Sequence, residues 1–138
     1  MKTKITFLIA FFFLSTSTIF AQNEQDLETL SIFSELAKSK NYTAAYTPWM
    51  ELRNRNPKFN KAIFVYGERI LNYKIDNSEG EEKISFINDL LKLWEERKAV
   101  FPNVTPSGAF LAKASQLQYD YKKILNKTNE DLYTSFDL

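Results

Sequence analysis

The sequence predicts an all-α fold in which antiparallel helical hairpins stack side by side as a short α-solenoid, with about six helices after an N-terminal leader. Apolar residues recur at three- and four-residue steps along most of the chain, which is the spacing of one face of a helix. Trp49 lies eight residues before Pro57, and Trp94 lies eight residues before Pro102. Two equal Trp–Pro spacings indicate two hairpins of the same kind.

Residues 1–21 have the pattern of a secretory signal peptide. Lys2 and Lys4 supply a short positive region, an apolar run of about ten residues follows, and the small residue Ala21 precedes the expected cleavage point. This run is too short for a transmembrane helix, which needs roughly 20 predominantly apolar residues. We therefore expect export to the periplasm or the exterior, with no stable membrane span once the signal is removed.

The remaining chain, residues 22–138, is nearly neutral and has the length of one domain. Removal of the signal takes away two lysines, which leaves 16 basic against 17 acidic side chains. Such a balance supplies no positive surface for nucleic acid, so no nucleic-acid partner is expected. A single domain commonly has about 100–150 residues. Because the sequence contains no cysteine, packing rather than disulfides must stabilise this domain.

The first predicted hairpin contains two helices. An apolar stripe from Leu27 to Ala37 marks the first, with Asp26 in its first turn, where the helix dipole favours an acid. After a short polar break the helical period restarts at Tyr42. Because Pro48 lies within this period, the second helix either bends near Thr47 or begins there.

The second hairpin is predicted from two further apolar stripes. The third helix runs through Ala62 to Tyr73 with Gly67 in its middle. A mid-helix glycine destabilises a helix by about 1 kcal/mol relative to alanine, and it usually marks a close approach of another helix. Residues 76–80 are rich in turn formers and predict a loop. The fourth helix runs from Ile84 to Arg97.

The last two helices are predicted after Pro106. The fifth carries apolar residues from Phe110 to Ile124. Thr128-Asn129-Glu130-Asp131 resembles a capping box in which Asp replaces the usual Glu, and it predicts the start of a sixth helix.

These residues resemble the tetratricopeptide repeat, a helix–turn–helix unit of about 34 residues. An aromatic residue, a small residue, a large aromatic residue and a proline stand at the spacing of that family: Tyr42, Ala45, Trp49 and Pro57. The second unit repeats the closing Trp–Pro pair about 11 residues later than the family's period, and Leu90 stands where a small residue is expected. The resemblance implies units of about 26–59, 60–104 and 105–138, the last of them truncated.

The chain is also similar to exported repeat proteins of Bacteroidota-type bacteria. Some of those proteins are longer, and the third unit here has only part of a second helix. We therefore expect this sequence to be the N-terminal part of a longer repeat array. About three units are needed before a stack of this kind buries its apolar faces.

The residue types available exclude several kinds of catalysis. Without histidine or cysteine the chain has no imidazole base, no thiol nucleophile and no zinc–thiolate site. Its three glycines are too far apart for a phosphate-binding loop. Adjacent acids such as Glu95-Glu96 point about 100° apart on a helix rather than towards one substrate. We therefore expect a protein that is not an enzyme and that uses no cofactor and no metal.

The resemblance implies a binding surface on the concave side, formed by the first helix of each unit. Carried over by position, this surface consists of Leu27, Leu30, Ser34, Lys38, Lys61, Phe64, Glu68, Asn72, Ala109, Lys113 and Gln116. Its mixed charge and an exposed Phe64 would suit an extended peptide or a partner helix. On this hypothesis Phe64→Ala and Glu68→Lys weaken binding of a protein or peptide partner without unfolding the chain.

Two other interpretations stay open. A compact six-helix bundle without a groove would have a structural or inhibitory role in the cell envelope. A small carboxylate hydrolase would need two acids of raised pKa facing one cleft. Trp49 and Trp94 could stack on a ligand, but their place in the repeat favours the core.

Overall fold

The computed structural model describes residues 22–136, and within this range every regular element is helical. The predicted signal peptide lies outside the described residues. Six α-helices follow one another along the chain: α1 over residues 22–38, α2 Tyr42–Arg55, α3 Ala62–Asp76, α4 Gly80–Val100, α5 Ser107–Asp120 and α6 Asn129–Phe136, with a short 3-10 helix at Pro102–Val104. Consecutive helices pack as pairs, which confirms the predicted all-α stack of helical hairpins.

The helix starts differ from the sequence predictions at two places. The chain is already helical at residue 22, so Asp26 does not lie in the first described turn of α1. α2 begins at Tyr42 and continues through Pro48, which excludes a start at Thr47. The side chain of Asn41 accepts a hydrogen bond from the Ala44 backbone N–H at 3.4 Å, and a side-chain acceptor at this position stabilises a helix start.

The turns and helix ends correct two further expectations. The predicted loop at residues 76–80 is reduced to residues 77–79, and α4 extends to 21 residues, seven more than α2. The additional length of the second hairpin therefore lies largely in α4. α5 ends at Asp120, before the predicted Ile124, and Asn126 adopts a positive φ of 53° in the turns that follow.

The core consists of apolar side chains that α1 to α4 direct towards one another, with Leu117 added from α5. α3 lies at its centre, because it packs against both α2 and α4 more extensively than α5 packs against either neighbour. Both tryptophans are core residues as expected, with Trp49 fully buried and Trp94 exposed by 6%. α5 and α6 form a more loosely attached pair.

Trp49 and Gly67 form the closest contact between α2 and α3. A Cβ atom placed on Gly67 would lie 2.6 Å from Cζ2 of the indole, which is inside van der Waals contact. The indole Nε1 donates a hydrogen bond to the Ile63 carbonyl at 2.7 Å. The expectation that Gly67 permits close approach of another helix is therefore confirmed.

Buried ion pairs join helices that are distant in sequence. Arg53, with 3% of its side chain exposed, donates to Asp89 at 2.8 Å and to Glu96 at 2.9 Å, linking α2 to α4. Asp26 is fully buried in α1 and accepts hydrogen bonds from Arg55 at 2.7 Å and from Asn56 at 2.9 Å. These arginines and acids are paired within the described chain.

Candidate binding surface

Side-chain contacts link the first helices of the successive pairs. The rings of Phe33 on α1 and Tyr66 on α3 meet edge to face with centroids 6.4 Å apart. Lys113 on α5 donates to Glu68 on α3 at 2.6 Å. The backbones of α3 and α5 do not pack against each other, so this ion pair between long side chains is what connects α5 to α3.

The predicted surface residues divide into three groups by exposure. Five are exposed, and they are Lys38, Lys61, Asn72, Lys113 and Gln116. Two are half-buried, and they are Leu30 and Glu68. Ser34 and Phe64 are buried.

The prediction that Phe64 is exposed is wrong. Only 1% of this residue is accessible, and its ring packs edge to face against Phe101 with centroids 5.9 Å apart. Phe101 follows α4 directly and covers a side chain that the repeat pattern assigned to the surface. Ser34 is likewise buried, with 9% accessible. Phe64→Ala is therefore a core substitution and is unsuited as a test of surface binding.

The exposed members carry polar contacts of their own. Lys38 pairs with Glu35 at 2.6 Å, and this hydrogen bond raises the pKa of the lysine. Gln116 donates to Asp120 at 2.7 Å, and Asn72 donates to the Glu68 carbonyl at 2.8 Å. The surface is therefore polar and mixed in charge.

A second group of residues lies where α4 meets α5. Phe110 is contacted by two cations, with the Arg97 guanidinium carbon 5.1 Å and the Lys113 Nζ 5.9 Å from its ring centre. The same Lys113 Nζ lies 6.0 Å from the Trp94 ring. Nε1 of Trp94 and Nε of Arg97 are buried and have no hydrogen-bond acceptor among the described residues. We call Trp94, Arg97, Phe110 and Lys113 the α4–α5 cluster.

The sequence contained a signal for this cluster that the repeat pattern alone did not use. Arg97 falls on the apolar stripe of α4, three residues after Trp94, and residues three apart are neighbours on a helix surface. An arginine on an apolar stripe becomes partly buried, and a buried cation needs an anionic partner. Arg53 on α2 obeys the same rule and has two such partners.

An open cleft of about 340 Å³ lies between the end of α5 and the start of α6. It is lined by Tyr119, Lys122, Asn129, Leu132 and Tyr133. Tyr133 is 74% exposed. Lys122 Nζ lies 4.6 Å from the Tyr119 ring centre and donates to Asn129 at 3.2 Å, so the polar groups of the cleft contact one another.

The predicted capping box is confirmed at the start of α6. Asp131 accepts a hydrogen bond from the Thr128 backbone N–H at 2.7 Å, and its own N–H donates to the Thr128 hydroxyl at 3.1 Å. The bond from the Thr128 backbone holds the pKa of Asp131 below its ordinary value. This direction is opposite to that required of a catalytic acid.

Two classes of site were also sought in residues 22–136. No group of three or more acidic side chains there is placed to hold a metal ion. None of the helices in this range is long and apolar enough to cross a membrane.

Comparison with known proteins yields no relative for the chain. No protein-family model matches it, and neither the curated proteins nor the solved structures contain a significant match.

Proposed function

We propose that the chain is an exported scaffold, similar to the tetratricopeptide repeats, that binds a protein or peptide partner along α1, α3 and α5 in the cell envelope. The observation that supports this proposal most directly is the Glu68–Lys113 ion pair at 2.6 Å, because it joins two first helices that the repeat pattern places side by side. A surface formed by stacked helices is ordered before the partner arrives, which reduces the entropic penalty of binding. Its role is binding rather than catalysis.

The exposed polar residues suit an extended segment better than a large flat protein surface. Lys38, Lys61 and Asn72 are exposed on α1 and α3 or beside them, and Gln116 is exposed on α5. Side chains of this kind provide donors and acceptors along a line, whereas the centre of a large interface is depleted in charged residues. A peptide in the groove between helices is a recurrent mode of recognition.

The test is a selection of random peptides on the purified protein, followed by binding measurements with two charge-reversal variants. Glu68→Lys changes a residue of the proposed surface, whereas Glu51→Lys changes an exposed residue on α2 and serves as the matched control. We expect the affinity of the selected peptides to be unchanged in the control and to change at least several-fold in Glu68→Lys, because this substitution replaces the carboxylate that pairs with Lys113. Circular dichroism would establish that both variants keep their helices.

The proposal also predicts which helices the peptide contacts, and nuclear magnetic resonance can check this. Amide signals that move on peptide addition should lie on α1, α3 and α5. If they lie on α2 and on the side of α4 turned away from α5, or if a folded sample selects no peptide, the scaffold proposal is wrong. The compact bundle without a groove would then be the better description.

A further inference from the structure

Arg97 is a half-buried cation that has no carboxylate within ion-pair distance among the described residues. Its Nε is buried without an acceptor. Removing a charged donor from water without a partner is unfavourable, so proteins normally pair such groups. Arg97 is an exception, and the exposed part of its guanidinium is available to an acceptor from outside the described chain.

The other arginines of the core follow the usual rule. Arg53 contacts two carboxylates, and Arg55 contacts the buried Asp26 at 2.7 Å. Of the acids next to Arg97 in the sequence, Glu96 already pairs with Arg53. Glu95 lies two residues away, a separation at which helix side chains do not face each other.

Trp94 adds a second buried donor beside Arg97. The indole is 94% buried, yet its Nε1 has no acceptor among residues 22–136, whereas Nε1 of Trp49 donates to a carbonyl at 2.7 Å. Trp94 and Arg97 are separated by one turn of α4 and therefore share a face. Both N–H groups are inaccessible from outside, so they mark a polar position within the α4–α5 contact rather than groups that a partner reaches directly.

Lys113 gives the α4–α5 cluster a further positive charge. Its Nζ lies 6.0 Å from the Trp94 ring, and its partner Glu68 is the one carboxylate recorded in contact with the cluster. The two cations therefore exceed the negative charge supplied by the described residues around them. A guanidinium also binds carboxylates through two parallel N–H···O bonds, which adds geometric specificity.

We infer that the α4–α5 cluster binds a carboxylate of the partner, which makes that partner an acidic peptide. The inference rests on the proposed function and specifies its ligand, because Lys113 belongs both to the cluster and to the proposed binding surface. The outer nitrogens of the half-exposed Arg97 guanidinium bind the carboxylate, and Lys113 supports it with charge.

The probe is an acetylated and amidated octapeptide of alternating Glu and Gly, compared with the same peptide in which every Glu is Gln. Binding is followed through the Nε–H signals of Arg97 and Trp94 in the ¹⁵N-labelled protein. We expect both signals to shift saturably with the Glu peptide. The Gln peptide should bind at least about tenfold more weakly, since it cannot form a charge-assisted pair.

Three variants separate a direct role from a general change of charge. Arg97→Gln should weaken binding of the Glu peptide about tenfold, and Arg97→Lys should lie between it and the parent because it keeps the charge but loses the planar fork. Arg69→Gln removes an exposed arginine that lies 5.5 Å from the Tyr66 ring. It should leave binding unchanged apart from the small effect of removing a charge that salt screens. If Arg97→Gln fails to fold, the inference is tested instead by Lys113→Gln together with the comparison of the Glu and Gln peptides.

Equal binding of the Glu and Gln peptides would overturn the inference, as would equal effects of Arg97→Gln and Arg69→Gln. Failure here differs from failure of the scaffold proposal. The selected peptides could bind along α1, α3 and α5 without needing a carboxylate. That result would refute the acidic ligand but would leave the scaffold proposal unaffected. A folded protein that selects no peptide refutes the scaffold.

Discussion

Gly67→Ala tests whether the contact between α2 and α3 depends on the absence of a single methyl group. In most helices this substitution stabilises the protein by about 1 kcal/mol, because alanine has the higher helix propensity. Here the new Cβ would lie 2.6–2.7 Å from three atoms of the Trp49 indole. Real Cβ atoms do not approach other atoms so closely, so one helix or the indole has to move.

The expected loss of stability follows from two opposing effects. Overpacking of a well-packed core destabilises by about 1–3 kcal/mol. Displacement of the indole also strains or breaks its hydrogen bond to the Ile63 carbonyl, and a buried donor left unpaired destabilises by about a further 1–3 kcal/mol. After subtraction of the propensity gain, we expect Gly67→Ala to lower the free energy of unfolding by about 1–5 kcal/mol.

The assay is urea unfolding followed by circular dichroism and by tryptophan fluorescence. Gly108→Ala is the matched control, because Gly108 also lies in a helix but a Cβ atom there would have no neighbour within 4 Å. We expect the control to be neutral or slightly stabilised. In a Trp49→Phe background the effect of Gly67→Ala should shrink, because the atoms that clash are those of the indole.

Equal behaviour of the two glycine variants would refute this reasoning. So would an unchanged effect of Gly67→Ala in the Trp49→Phe background, since the clash would then not involve the indole.

Phe64→Ala should destabilise the chain by about 3–5 kcal/mol in urea unfolding, because it empties a core site; a loss below about 1 kcal/mol would favour the exposed position that the sequence suggested. Arg53→Gln should destabilise by about 2–3 kcal/mol, since it leaves two partly buried carboxylates without their cation, whereas removal of the exposed Lys38 should change nothing measurable. The pKa of Asp131 is lowered in the folded chain, so its contribution to stability is present above its unfolded pKa and is lost as the pH falls through the folded value. Thr128→Ala removes the hydroxyl donor but keeps the backbone N–H. It should therefore raise the pKa of Asp131 only part of the way towards its ordinary value in a carboxyl-carbon titration, and an unchanged midpoint would contradict the contribution of the hydroxyl.

The helices were predictable because their evidence is local. Apolar spacing located all six, and the Trp–Pro spacings identified the buried indoles. The capping box was visible in four consecutive residues. Features that depend on distant segments were not predictable in this way. The cover over Phe64 comes from Phe101, and the partners of the buried Asp26 come from the end of α2.

Only part of the α4–α5 cluster could be predicted from the sequence, for the same reason. The periodicity showed that Arg97 lies on an apolar stripe, which indicates partial burial. Whether a carboxylate reaches such an arginine depends on how distant helices dock. Arg53 is buried and contacts two carboxylates of α4, whereas Arg97 is half-buried and has no carboxylate within ion-pair distance among the described residues. Local spacing thus predicted where the cation lies. Only the folded structure shows that it has no acceptor among residues 22–136.

α5 carries a methyl group at the position that corresponds to Gly67 of α3. Trp49 precedes the first residue of α3 by thirteen positions, and Trp94 precedes the first residue of α5 by the same number. The residue that corresponds to Gly67 is therefore Ala112, whose Cβ would meet the Trp94 indole if α5 approached α4 as α3 approaches α2. Ala112 is instead exposed, and the Trp94 N–H has no acceptor in the described chain. Among the described residues, the close contact of the Trp49 indole with Gly67 therefore has no counterpart between α4 and α5, and the Trp94 N–H lacks the carbonyl acceptor that Trp49 has.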